Sequence, residues 1–90
     1  MEIKNIDQLI SEYYRMHPNG HYFDKETLKF FGERKSDMRL LKDTVHVKSY
    51  SGEHECYMIS KLQRNHPMGA RRTYAFFDVE TLEDIIPVND

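Results

Sequence analysis

Five histidines and one cysteine are the side chains of this 90-residue chain best suited to binding a metal or acting as a nucleophile. A structural zinc site needs four ligands at a recognisable spacing. His17 and His21 are four residues apart, but Pro18 and Gly20 lie between them, so the two rings do not share a helix face. His54 and Cys56 alternate onto one side of a strand, which supplies two ligands, and there is no second cysteine. No metal or other cofactor is expected. Nucleophilic catalysis requires Cys56 or a serine beside a base, with an oxyanion hole. Two residues of strand rise separate Cys56 from His54 by ~7 Å, too far for a direct hydrogen bond. The chain carries no Gly-x-Ser-x-Gly elbow, phosphate loop or dinucleotide fingerprint. The acid pairs Glu53/Glu55 and Glu83/Asp84 lie in or near turns, where solvated carboxylates are ordinary. The residues therefore predict a protein that is not an enzyme and has no catalytic residues.

The segment from Lys61 to Arg72 is more informative. It holds Lys61, Arg64, His66, Arg71 and Arg72 without an acid, and Tyr57 and Tyr74 flank it. Arginine beside tyrosine suits phosphate contacts and base stacking. The same pair dominates protein-binding hot spots. A third reading pairs Arg71 and Arg72 with acids such as Asp78, Glu80 or Glu83. These seven residues are the candidate partner-binding set, with a host protein ranked ahead of nucleic acid. The tail from Asp78 to Asp90 contains five acids and no base, and reads as a solvated edge or a partial mimic of a phosphate backbone.

The elements that position these residues follow from periodicity. Ile6, Leu9, Ile10 and Tyr13 recur at helical spacing, so Ile6 to Met16 reads as an amphipathic helix, with Glu12 assigned to its polar face and Asn5 as N-cap. His17-Pro18-Asn19-Gly20 ends it. A second, short helix is predicted after Asp24, closed by Gly32, with Phe23 stapled against Leu28. The rest reads as strands: a weak one at Met38 to Leu41, then Thr44 to Tyr50, a turn at Ser51-Gly52-Glu53, His54 to Leu62, a loop from Gln63 to Ala70, Arg71 to Val79, and a short edge strand at Ile85-Ile86-Pro87-Val88.

The prediction is one α+β domain over residues 1–90, with two helices at about 5–32 packed on a three- to four-stranded antiparallel β-meander at about 38–88. At this length a second core would leave each half too small to close. Aromatic residues, 12% of the chain, supply large buried surfaces that offset an apolar fraction of only 39%. The net charge of −2 gives no global attraction for nucleic acid or an anionic membrane. There is no apolar run long enough to span a bilayer, no signal-peptide pattern and no second cysteine for an internal disulfide, so a cytoplasmic location is expected.

The segment His21-Tyr22-Phe23-Asp24-Lys25-Glu26-Thr27-Leu28-Lys29-Phe30-Phe31-Gly32 resembles a group of small phage and mobile-element proteins of bacteria. They share a Gly-x-[His/Tyr]-[Phe/Tyr]-Phe-Asp-x-x-Thr-x-[Lys/Arg]-Phe-Phe core. They also carry later strands similar to Cys56-Tyr57-Met58-Ile59-Ser60 and Arg72-Thr73-Tyr74-Ala75-Phe76. The likeness runs in order over about two-thirds of the chain, and departs after Ser60, where this chain is richer in basic residues. It implies an accessory protein that binds and modulates a host protein, as inhibitors of nuclease-based defence such as CRISPR effectors do. The runner-up is a small nucleic-acid-binding accessory protein using residues 61–72.

Overall fold

The computed structural model describes residues 3–20, 37–63 and 67–88. The predicted second helix, with Phe23, Asp24 and Gly32, lies outside the described residues, as do Arg64 and His66. The first helix forms as expected: α1 spans Ile6–Met16. Asn5 is extended, and its side-chain oxygen accepts the Gln8 amide at 2.9 Å. Gln8 reaches back, its Oε1 accepting the Lys4 amide at 2.7 Å. This reciprocal arrangement satisfies two amides that helix geometry leaves without an internal partner. At the other end the His17 amide bonds the Tyr13 carbonyl, and Pro18 follows.

Four strands make one antiparallel sheet: β1 (Met38–Leu40), β2 (Val45–Ser49), β3 (Gly52–Gln63) and β4 (Arg71–Asp78). Only β2, β3 and β4 form the expected meander. β1 pairs with β3 instead of β2, Met38 standing opposite Lys61. β2 pairs with the first half of the same strand, Val45 opposite Cys56. Because β4 occupies the other side of β3 from Cys56 to Gln63, β1 and β2 lie end to end along one edge. Their joint is the bend at Lys42-Asp43. The β2–β3 connection is a two-residue turn, Tyr50-Ser51, closed by Gly52 at φ 122°, which a side chain would strain.

Alternation along β3 and β4 sorts the side chains onto two faces. Tyr57, Ile59, Ala75 and Phe77 face α1 and join Leu9, Ile10, Tyr13, Met38 and Leu82 in the main core. Phe77 is fully buried, and its ring meets Tyr13 edge-on with centroids 6.1 Å apart. Leu82 takes a left-handed φ of 55° while only 1% exposed. That conformation costs a leucine roughly 1–2 kcal/mol. Burial of the side chain, together with a 2.8 Å bond from its amide to the Asp78 carbonyl, offsets the cost. Glu12 is not on a solvent face as predicted. It is buried at the rim of this core, paired with Arg15 one turn on.

The opposite face has a smaller core of Val47, Cys56 and Ile85, with Val45 and Phe76 packed against it. The predicted last strand, Ile85 to Val88, is not a regular strand; the residue before it, Asp84, makes a single bridge to Phe77. The segment then leaves β4: the Ile85 amide bonds the Phe76 carbonyl at 2.8 Å, and the Val88 amide reaches Lys48 of β2 at 2.9 Å. Residues 84–88 thus strap the β2 half of the second face. The helix covers one half-face and the strap covers the diagonally opposite one.

Candidate functional site

Of the seven predicted partner-binding residues, the five that are described, Tyr57, Lys61, Arg71, Arg72 and Tyr74, divide between the two faces of the sheet. Lys61 is not in a loop. It lies in β3, 9% exposed, opposite Thr73 and on the helix side of the sheet. Burial there raises the Asp84 carboxyl pKa, and attraction from Lys61 partly opposes the rise. Tyr57 also faces the helix, packed against the main core. Arg71 is exposed at the start of β4, opposite Gln63. Arg72 and Tyr74 project from the other face.

On that other face, the half beyond the strap brings together two of the predicted residues and several that were not predicted. Tyr74 is 50% exposed and stands in one register row with Ser60 and Arg39. Arg72 lies one row along, its Nη1 donating to the Ser60 hydroxyl at 3.0 Å, which holds the guanidinium down over the buried serine. Leu41, 38% exposed, adds its amide to the Met58 carbonyl in the row below, beside Phe76. None of the residues that β1, β3 and β4 place here is acidic. The result is a platform in which Tyr74 and Arg72 neighbour each other along β4, Arg39 lies across β3 from Tyr74, and Leu41 and Phe76 form an apolar border. Arg39 and Leu41 were not predicted because they lie far from Arg72 and Tyr74 in sequence and share their face only through two strand pairings.

A second constellation lies at the far end of the same face. Ser51 Oγ is 2.9 Å from His54 Nε2, and His54 Nδ1 is 2.8 Å from Asp78 Oδ2. Asp78 Oδ1 accepts the amides of Glu80 and Thr81, at 2.8 and 3.1 Å, which fixes the carboxylate plane. Burial acts to raise the Asp78 pKa, but the hydrogen bonds from His54 and from those two amides outweigh it and hold the group below its ordinary value. A carboxylate only accepts, so Nδ1 carries the proton; when Nε2 is unprotonated, it can accept from the Ser51 hydroxyl. Ser51-x-x-His54 was visible, but Asp78 joins it only through the β3–β4 register.

The remaining suspects have ordinary roles. Cys56 is fully buried, and its thiol is pushed up to about 11 by burial and by the charges of Asp78 and Glu55, which makes it inert as a nucleophile. His17 packs against Tyr13, and its Nε2 lies 2.7 Å from the Thr81 carbonyl. His46 stands 3.7 Å from Glu53 with both side chains largely exposed, a pair worth little. Among the described residues no group of three or more His, Cys, Asp or Glu is placed to hold a metal, and no helix is long and apolar enough to cross a membrane. A cleft of about 150 Å³ opens between α1 and the turn after β4, beside Glu12, Arg15 and Tyr57. It is smaller than the ~300 Å³ that marks the lower end of ligand pockets. No family model matches the chain, and no match is found among curated proteins or solved structures.

Proposed function

We propose that this protein is an accessory binding protein of the phage or mobile-element type, acting on a host protein through the platform of Arg39, Arg72, Tyr74 and Leu41. The observation that carries this reading is Tyr74. It is a large aromatic side chain held half-exposed on the sheet, with Arg72 beside it on β4, Arg39 in the same register row across β3, and a half-covered apolar row below. Aromatic and arginine anchors of this kind supply most of the free energy of protein interfaces. The cationic flanks select an acidic surface on the partner, by steering and by penalising wrong partners. Binding here needs no turnover, so the protein acts stoichiometrically, as an inhibitor of a nuclease-based defence system would.

The test is co-purification of a host protein at a fixed ratio, unaffected by nuclease, compared between the native chain and a Tyr74→Ala, Arg72→Ala double variant. A hot-spot tyrosine contributes ~2 kcal/mol or more, so affinity drops at least ~30-fold while thermal stability stays nearly unchanged. Retention of the partner by the variant overturns the assignment of the interface.

A second reading rests on the same tyrosine, since an exposed aromatic ring sharing a sheet face with two guanidinium groups is also a stacking site for single-stranded nucleic acid. It predicts nuclease-sensitive binding. With two neutralised phosphates, the slope of log affinity against log salt would be about −1.4.

A further inference from the structure

We propose that Ser51 is a reactive nucleophile, the terminus of a Ser51–His54–Asp78 relay at the β2–β3 turn, and that it accepts the acyl group of an activated ester. The three side chains stand in a continuous hydrogen-bonded order, with Oγ to Nε2 at 2.9 Å and Nδ1 to Oδ2 at 2.8 Å. Exposure follows the same order: Asp78 and His54 have side chains only 15% and 21% exposed, whereas Ser51 is exposed at the turn. This gradient suits the chemistry. A sheltered carboxylate holds the imidazole in one tautomer and stabilises the imidazolium, while the hydroxyl remains open to a donor.

The rest of the turn fixes the serine. The Ser51 amide donates to Ser49 Oγ at 3.2 Å, and the two hydroxyl oxygens are 2.9 Å apart. Ser49 Oγ also donates to the Gly52 carbonyl at 3.2 Å. Gly52 has the positive φ that lets β3 begin at once, so that His54, two residues on, points back at the turn. The charged groups nearby are Asp78 itself and, on the opposite face of the hairpin, His46, Lys48, Glu53 and Glu55. None of these intervenes between Ser51 and His54.

In the reaction, Ser51 Oγ attacks the acyl carbon as its proton passes to His54 Nε2. The Oγ–C bond forms and the ester C–O bond breaks. The imidazolium returns the proton to the departing alcohol, leaving O-acyl-Ser51. Water then attacks with His54 again as base, releasing the carboxylic acid and restoring the serine. Asp78 touches neither donor nor product and is a positioning residue. The open turn gives a leaving group little help, so the donor is an aryl ester and not an amide.

The experiment exposes the full chain to p-nitrophenyl acetate and to a fluorophosphonate, following p-nitrophenol release and mapping the adduct by mass spectrometry. The expected result is continuing p-nitrophenol release from the ester and, with the fluorophosphonate, one adduct per chain on Ser51, both absent from Ser51→Ala. His54→Gln slows labelling by ~10²-fold or more, the range that general-base catalysis supplies. Asp78→Asn slows labelling, because the imidazole loses the acceptor that holds its Nδ1–H tautomer, and Asp78→Glu, which keeps a carboxylate acceptor, recovers part of the rate. A purely structural Asp78 would leave the labelling rate of both folded variants at the native value. Should Asp78→Asn fail to fold, the native chain in urea serves instead, with labelling lost as the fold melts. Labelling of Ser51 at the same rate in folded and unfolded chains, or adducts confined to Tyr50 or lysines, overturns the proposal.

Discussion

Replacing Ile85 with alanine tests the strap that closes the second face of the sheet. Ile85 is 6% exposed and shares a core with Val47 and Cys56. The substitution removes three buried carbons, worth ~0.8 kcal/mol each, or ~2.4 kcal/mol of lost transfer free energy. A cavity term brings the total to ~2.5–4 kcal/mol, because strap and strands relax only partly into the gap. Small domains have ~5–13 kcal/mol in all at this length, so a third or so of the stability goes. At ~4–8 °C per kcal/mol, the melting temperature falls by at least ~10 °C. Urea denaturation gives the free energy, and the reaction of Cys56 with a thiol reagent under native conditions reports the strap directly, since Cys56 is fully covered in the native protein. Ile86→Ala is the control, because Ile86 is 65% exposed, and surface changes stay within ~0.5 kcal/mol. A loss below ~1 kcal/mol for Ile85→Ala, with Cys56 still protected, would refute the packing of residues 84–88 on β2 and β3.

Two further outcomes follow from buried groups. Thr73 Oγ1 is buried without a hydrogen-bond partner, so Thr73→Val, nearly isosteric, raises stability by ~1 kcal/mol in denaturant titration, since an unmet hydroxyl costs ~1–3 kcal/mol. For Cys56 the sign is set by a folded pKa raised from 9.0 to about 11. Below pH 9 the thiol is protonated in both states. Between pH 9 and about 11 the unfolded chain releases the proton while the fold retains it, so stability declines as pH rises, by on the order of 2–3 kcal/mol. Thiolate absorbance during an alkaline titration checks the midpoint, and Cys56→Ala flattens the stability decline.

The fold class and most element boundaries were legible in local pattern. α1 rests on an Asn5 cap and a 3.6-residue apolar repeat, both contained within a dozen consecutive residues. β2, β3 and β4 rest on alternation and on the Ser51-Gly52 turn, which are equally local. Glu12 shows where that reasoning stops. Its spacing marks a polar face, yet the packing of α1 against the turn after β4 buries it beside Arg15.

The sites depended on register. A one-residue slip between β3 and β4 would reverse every side chain on one strand, so composition alone could not separate Tyr57 and Lys61, which face the helix, from Arg72 and Tyr74, which do not. For the same reason Lys61, Arg71 and Arg72 read as one patch in one dimension and divide between two faces in three. Arg39 shares a register row with Tyr74 only through two ladders, and Asp78 meets His54 across 24 residues of sequence. Local chemistry determined which segments are helix and strand. Long-range pairing, paid for by burying Phe77 on one side and Cys56 on the other, decided which side chains became neighbours.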